Sequence, residues 1–234
     1  MAFLDRFRLV VLDMHGTFMF RQDRFGPDED YAATWARLGA PALAPEAVRR
    51  VVEALLREAT RRYDDPAHFD DFPAMAELLD RLPEARGLDA ARRRAAEAVL
   101  AAHEIGELPD EYAAALRRLA GRHRLGLISN LFSRPGPWLA HFAERNVAGV
   151  FETMLFSSET RHIKPSPRLF RRLLEDAGVA PAEAVYIGDD LMRDVAGARA
   201  AGMAAVWLRH GRRRAADDPE PDLEVESLLD LVSR

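Results

Sequence analysis

The chain has 234 residues, 48% of them hydrophobic and 30% charged, enough for one large buried core or a core with a sizeable insertion. A formal net charge of -5 and a pI near 5.8 give no basic surplus to hold nucleic acid or an anionic membrane. With no cysteine there is no disulfide, thiolate metal site or cysteine nucleophile. The first apolar stretch is too short for a signal h-region or a membrane span and runs at once into charged and turn residues, so the expected setting is a soluble, cytoplasmic one.

Leu9 to Leu12 is a short apolar run that ends in Asp13-Met14-His15-Gly16-Thr17. It reads as a buried strand delivering a carboxylate into a tight turn. The next strand would normally return within roughly 30 residues, but about 90 separate Thr17 from Asp110. Helical patterns fill the gap over Asp28–Leu38, Pro45–Tyr63, Asp71–Leu82 and Asp89–Glu104, broken by Pro41, Pro66, Pro73, Pro83 and Gly87. An all-helical cap over residues 18–107 is expected beside the first strand's carboxyl end, with hinges near Phe18–Arg24 and Ile105–Asp110. In that first hinge, Arg21 and Arg24 are candidates to meet an anionic substrate, weighed against surface charges at a domain junction. Phe18 and Phe20 read as core or hinge packing, and His68 with Asp70 and Asp71 as a solvated loop.

Beyond the cap, strands are expected at Leu125–Ser129, Met154–Phe156, Ala184–Ile187 and Ala204–Leu208. Helices are expected at Asp110–Ala120, Pro137–Arg145, Pro167–Ala177 and Leu191–Ala201. This alternation predicts an α/β fold: a Rossmann-like doubly wound parallel sheet formed by residues 1–17 and 108–211. Residues 212–234 read as a polar C-terminal tail with a short amphipathic end, Leu223–Val232, whose apolar face is available to the core or to a second subunit. Arg92–Arg94 and Arg212–Arg214 read as solvated helix or tail positions.

Polar groups recur at the strand ends. Ser129 and Asn130 offer a hydroxyl, an amide and backbone N–H groups to an oxyanion. Lys164 is the sole lysine, the other 32 basic residues being arginine. An ammonium is a compact point charge that fits between a carboxylate and a phosphoryl oxygen where a planar guanidinium does not. Asp189, Asp190 and Asp194 follow the Ala184–Ile187 strand, and three carboxylates facing Asp13 suit Mg²⁺.

Taken in order, Asp13-x-x-Gly16-Thr17, Ser129-Asn130, Lys164-Pro165-x-Pro167-x-x-Phe170 and Gly188-Asp189 with Asp194 resemble the motifs of the haloacid dehalogenase-like hydrolase superfamily. The resemblance covers nearly the whole chain. It implies magnesium-dependent hydrolysis of a small phosphorylated metabolite through an aspartyl-phosphate. By position, Asp13 would be nucleophile and metal ligand, and Ser129 would bond the phosphoryl group. Lys164 would neutralise charge, with Thr17, Asn130 and Arg21 taken as substrate-binding. Asp189 would bind the metal directly, and Asp194 would bind it through water or hold Lys164; Asp190 would be peripheral.

His15 departs from the pattern, because the family's phosphatases usually have there a second aspartate that protonates the leaving oxygen and activates water. The backbone carbonyl of His15 would still reach the metal. Neutral imidazole is a poor leaving-group acid, which favours acyl phosphates or phosphoanhydrides as substrates. Two other readings follow from the same position. One is a catalytically weakened phosphate-binding or regulatory protein; the other is a 2-haloacid dehalogenase, which the acidic cluster opposes. Monomer and homodimer are left open.

Overall fold

The computed structural model describes residues 3–233. Six parallel strands form one sheet in the order β3-β2-β1-β4-β5-β6: β1 (Leu9–Leu12), β2 (Arg124–Ser129), β3 (Thr153–Phe156), β4 (Ala184–Gly188), β5 (Ala204–Leu208) and β6 (Leu223–Val225). All four side chains of β1 are buried, as a strand covered on both faces requires. The chain runs outward from β1 through β2 to β3, then returns to place β4 on the other side of β1. The strand order therefore reverses between β1 and β4, where doubly wound sheets bind ligands at their carboxyl ends.

One face of the sheet is covered by α5 (Asp110–Ala120), α6 (Gly136–Glu144) and α9 (Leu228–Ser233), the other by α7 (Pro167–Ala177) and α8 (Gly197–Ala200). In α7 the side chains Leu169, Phe170, Leu173, Leu174 and Ala177 form one apolar stripe against the sheet, and Ser166 caps the helix by accepting from the Arg168 N–H.

The cap consists of α1 (Tyr31–Arg37), α2 (Pro45–Tyr63), α3 (Met75–Arg81) and α4 (Ala90–Glu104) around its own core, which includes Trp35, Leu55, Leu78 and Val99. Its two connections to the core pair with each other. Phe20 N–H donates to Glu107 O at 2.9 Å and Glu107 N–H to Phe20 O at 2.7 Å. Phe18 and Met19 lie upstream of this ribbon, fully buried in the sheet's core.

Three local expectations are corrected. The segment read as a polar tail supplies a sixth strand, β6, and α9; its amphipathic end takes the core of the two places open to it, with Val225, Leu228 and Leu231 buried there. The helix expected from Asp71 begins at Met75, because the preceding residues pair with the core: Phe72 N–H donates to Arg161 O at 2.7 Å. The helix expected over Leu191–Ala201 opens as a π-helical turn, Leu191–Ala196, and becomes α-helical only at Gly197. Among the described residues, no helix is long and apolar enough to cross a membrane.

Candidate active site

Asp13 leaves the end of β1 with its N–H donating to Ile187 O of β4 at 2.8 Å, which fixes its side chain at the switch point. The turn that follows needs its glycine: Gly16 has φ of +74°, and a Cβ there would lie 2.6 Å from the Asp189 carboxylate. Gly188 has a similar role at the end of β4, where a Cβ would meet Asp194 Oδ2 at 2.3 Å. Two glycines thus let three carboxylates converge. One oxygen from each of Asp13, Asp189 and Asp194 lies within 4.8 Å of the others.

Lys164 holds this group together. Its Nζ donates to Asp13 Oδ1 at 2.5 Å, to Asp194 Oδ1 at 2.6 Å and to the Tyr186 hydroxyl at 3.1 Å, while that hydroxyl donates to Ile128 O. Burial alone would lower the ammonium's pKa, but the carboxylates of Asp13 and Asp194 outweigh it and hold the group well above the usual lysine range. The carboxylates go the other way. Burial raises Asp13, with Lys164 opposing and Asp189 adding to the rise, and burial pushes Asp194 up to about 6. Asp189 is raised by burial and then by Asp194. A hard divalent cation would relieve this crowding, and an all-oxygen donor set suits Mg²⁺. Both oxygens of Asp194 are already engaged, by Lys164 and by the Asp190 N–H at 3.0 Å, so Asp194 acts first as the holder of Lys164. Asp190 caps the π turn, accepting from Met192 and Arg193 N–H at 2.8 Å each.

His15 lines the same cavity, and its Nε2 receives the indole N–H of the buried Trp138 at 3.2 Å. A ring nitrogen that accepts a hydrogen bond carries no proton, so the imidazole is neutral with its N–H on Nδ1. Burial, with Lys164 adding to it, lowers the pKa of the ring to about 3. Nδ1 is the nitrogen left to a ligand.

The cavity has a volume of about 490 Å³ and extends from Asp13, Ser129 and Lys164 up to the cap residues Asp23, Phe25, Tyr63 and Phe72. Ser129, at the end of β2, is buried and lines it. Three residues expected to bind substrate do not have free groups there. Asn130 uses both ends of its amide on the protein, accepting from Lys164 N–H at 2.8 Å and donating to Tyr63 Oη at 3.1 Å and Lys164 O at 3.2 Å. It positions the lysine loop. Arg21 is exposed at the hinge and paired with Glu107 at 3.3 Å, away from the cavity. Thr17 is fully buried in the turn and outside the cavity lining.

Other site residues escaped the sequence reading. Arg212, read as a solvated tail position, donates to Asp189 O at 2.6 Å and pairs with its Oδ2 at 3.1 Å. Arg193 stacks 3.5 Å from the Tyr63 ring centroid and donates to Tyr63 O at 3.0 Å and Lys164 O at 2.9 Å, tying cap to core. Glu104, the last residue of α4, accepts from the N–H groups of Phe132 and Ser133 just after β2. Arg193 sat inside a recognised motif; Trp138, Arg212 and Glu104 carried no local signal.

A carboxylate on the central strand, a lysine bridging it to an acidic turn, and a helical cap over them make a capped site at the carboxyl edge of an α/β sheet. The model of the haloacid dehalogenase-like hydrolases matches residues 7–202, and the chain belongs to that family. It is 31% identical over 192 residues to a glyceraldehyde 3-phosphate phosphatase of Methanopyrus kandleri, spanning 76% of this chain and 77% of that one. A phosphoserine phosphatase of Thermus thermophilus is 40% identical over 115 residues, 48% of this chain and 46% of its own length, so the chain spans about half of that relative. Among solved structures, a haloacid dehalogenase-type phosphatase from Thermococcus onnurineus superposes with a TM-score of 0.63 at 24% identity, covering 97% and 96% of the two chains. A 2-haloacid dehalogenase from Pseudomonas syringae gives 0.65 at 24% identity, covering 97% of each. At that identity the superpositions establish the shared fold.

Proposed function

We propose that this protein is a Mg²⁺-dependent phosphatase that hydrolyses a small phosphorylated metabolite with a good leaving group. The observation that carries the proposal is Lys164 bridging Asp13 and Asp194, all three buried and lining a capped cavity. The phosphatases among the relatives support the reaction class. Asp13, Asp189 and the His15 carbonyl would hold the metal, which supplies charge neutralisation at the transferring phosphoryl group.

In the first step an Asp13 oxygen attacks phosphorus, an O–P bond forms to the enzyme, and the bond to the leaving group breaks with its electron pair going to the leaving atom. Lys164 and Ser129 stabilise the phosphoryl oxygens. Water then attacks the aspartyl-phosphate, freeing phosphate and the Asp13 carboxylate. His15 differs from an acid/base carboxyl in both steps. With Trp138 on Nε2, it offers the leaving atom a hydrogen bond from Nδ1–H and has no lone pair with which to take a proton from water. Acid/base groups contribute about 10² to 10⁴ in rate, roughly 3 to 5 kcal/mol of barrier. Leaving groups that need no proton, such as those of acyl phosphates and phosphoanhydrides, avoid the loss in the first step.

The test is kcat/KM with Mg²⁺ across leaving groups of graded pKa. Activated phosphates are expected to exceed alkyl phosphates by about 10² or more, with His15→Asp raising the alkyl substrates selectively. Equal rates across the series would overturn the leaving-group bias. His15 also favours a second reading, a phosphate-binding protein without turnover. A phosphoenzyme that forms stoichiometrically but never hydrolyses would support it.

A further inference from the structure

Beyond the phosphoryl end, the cavity is walled by aromatic rings and by one carboxylate that has no partner. Phe72 and Phe132 stack at 6.0 Å, with Tyr63 edge-on to Phe132 at 5.5 Å, and all three line the space. Asp23 lines it too, and among the described residues its carboxylate makes no hydrogen bond and no ion pair. Its basic neighbours in sequence are engaged elsewhere: Arg21 with Glu107, and Arg24 with Ala102 O at 2.6 Å. The backbone at Asp23 has φ of +57°, in the left-handed region, and its N–H is bonded to Glu104 O at 3.3 Å. The side chain is therefore presented by a fixed turn. Although the residue keeps exposed surface, the protein around the cavity raises its carboxyl to about 6, by burial.

The cations lining the cavity are already used. Lys164 is shared by Asp13 and Asp194, and Arg193 is spent on Lys164 O, Tyr63 and Asp64. A substrate carrying a carboxylate beyond its phosphoryl group would meet no free positive charge there, and would face Asp23. A cationic nitrogen would meet both an unpaired carboxylate and aromatic faces, the two features that recognise ammonium groups.

We infer that the part of the substrate distal to the phosphoryl group carries an ammonium or substituted ammonium, bound by Asp23 and the aromatic wall of Phe72 and Phe132, the Tyr63 face being taken by Arg193. This inference rests on the phosphatase reading and narrows it to phosphorylated amines.

The experiment uses a matched pair of aryl phosphates with closely similar leaving groups: phosphotyramine, whose tail is an ammonium, and 3-(4-phosphooxyphenyl)propanoate, whose tail is a carboxylate. With Mg²⁺, kcat/KM is expected to favour the ammonium by about tenfold or more, mostly through KM. Asp23→Asn is expected to reduce the ratio to near unity, and Asp23→Lys to invert it. A wild-type preference for the carboxylate, or a ratio unmoved by both substitutions, overturns the inference. Calorimetric binding of the same pair to Mg²⁺-loaded Asp13→Asn protein separates the two levels. If wild type hydrolyses neither compound but the variant binds the ammonium compound tighter, the phosphatase reading fails and the inference stands; equal binding rejects it as well.

Discussion

Lys164 is 3% exposed and sits between Asp13 at 5% and Asp194 at 1%, so its charge balances two carboxylates in the dry part of the site. Removing one partner of a buried ionic group leaves the others uncompensated, at a cost of about 3 to 5 kcal/mol. Lys164→Met, similar in length, should therefore lower stability in chemical denaturation by that order as well as abolish turnover. Asp13→Asn should act oppositely on stability. It removes a carboxylate that burial and Asp189 already disfavour, so the denaturation midpoint should hold or rise while phosphate release stops. A lower midpoint for Asp13→Asn would contradict this account of the triad. The lysine was legible in the sequence because it was the only one in an arginine-rich chain. The meaning of His15 was not, since the indole that settles its tautomer comes from Trp138, 123 positions away.

At the scale of elements, the end of α4 does two things. It returns the chain through the Phe20–Glu107 ribbon, and through Glu104 it fastens the loop after β2. Gly106 allows that ribbon to close, since a Cβ there would lie 2.6 Å from Phe20 O. Burial lifts the Glu104 carboxyl to about 7, with the N–H groups of Phe132 and Ser133 opposing the rise. A carboxyl whose folded pKa is raised binds its proton more tightly in the folded state. Its stabilising contribution is full below about 4.5 and is lost as pH climbs through about 7. Stability should thus decline from pH 5 to pH 8, and Glu104→Gln should remove a share of the slope worth roughly 3 kcal/mol. Denaturation of both proteins at four pH values measures it; parallel curves would show that Glu104 does not titrate in this window. Asp194, raised to about 6, slopes the same way in both proteins and cancels in the comparison, whereas Asp23 adds to the Glu104 rise and its share moves with the substitution.

Across the elements, the four internal apolar strands could be read because burial on both faces leaves continuous runs of Val, Leu and Ile. β6 could not, since Leu223-Glu224-Val225 is a strand only because β5 offers it an edge. The π turn at Leu191–Ala196 was hidden for a related reason. It depends on Asp190 capping two N–H groups while Asp194 reaches back to Lys164 and the Asp190 N–H.

For the whole molecule, folding brings three carboxylates together and the expected cation pulls the same way. Binding to the folded state alone should raise stability by RT ln(1 + [Mg²⁺]/Kd), about 2.7 kcal/mol at a hundredfold excess over Kd. Mg²⁺ should raise the melting temperature and a chelator should return it. Asp189→Asn should lose most of the Mg²⁺-induced shift, whereas Asp190→Asn should keep it, because Asp190 serves the helix start. Equal loss in both variants would place the ion elsewhere.

By itself the sequence determined the first five strands, the insertion of a helical cap after the first strand, and the order of Asp13, Ser129, Lys164 and Asp189, because each is encoded by contiguous residues. Tertiary structure alone decided which charges remain free. Arg21 and the neutral amide of Asn130 are spent on the protein, Arg212 is drawn onto Asp189, and among the described residues Asp23 is left without a partner. Pairing is a property of groups brought together from distant positions, and no local pattern of residues encodes it.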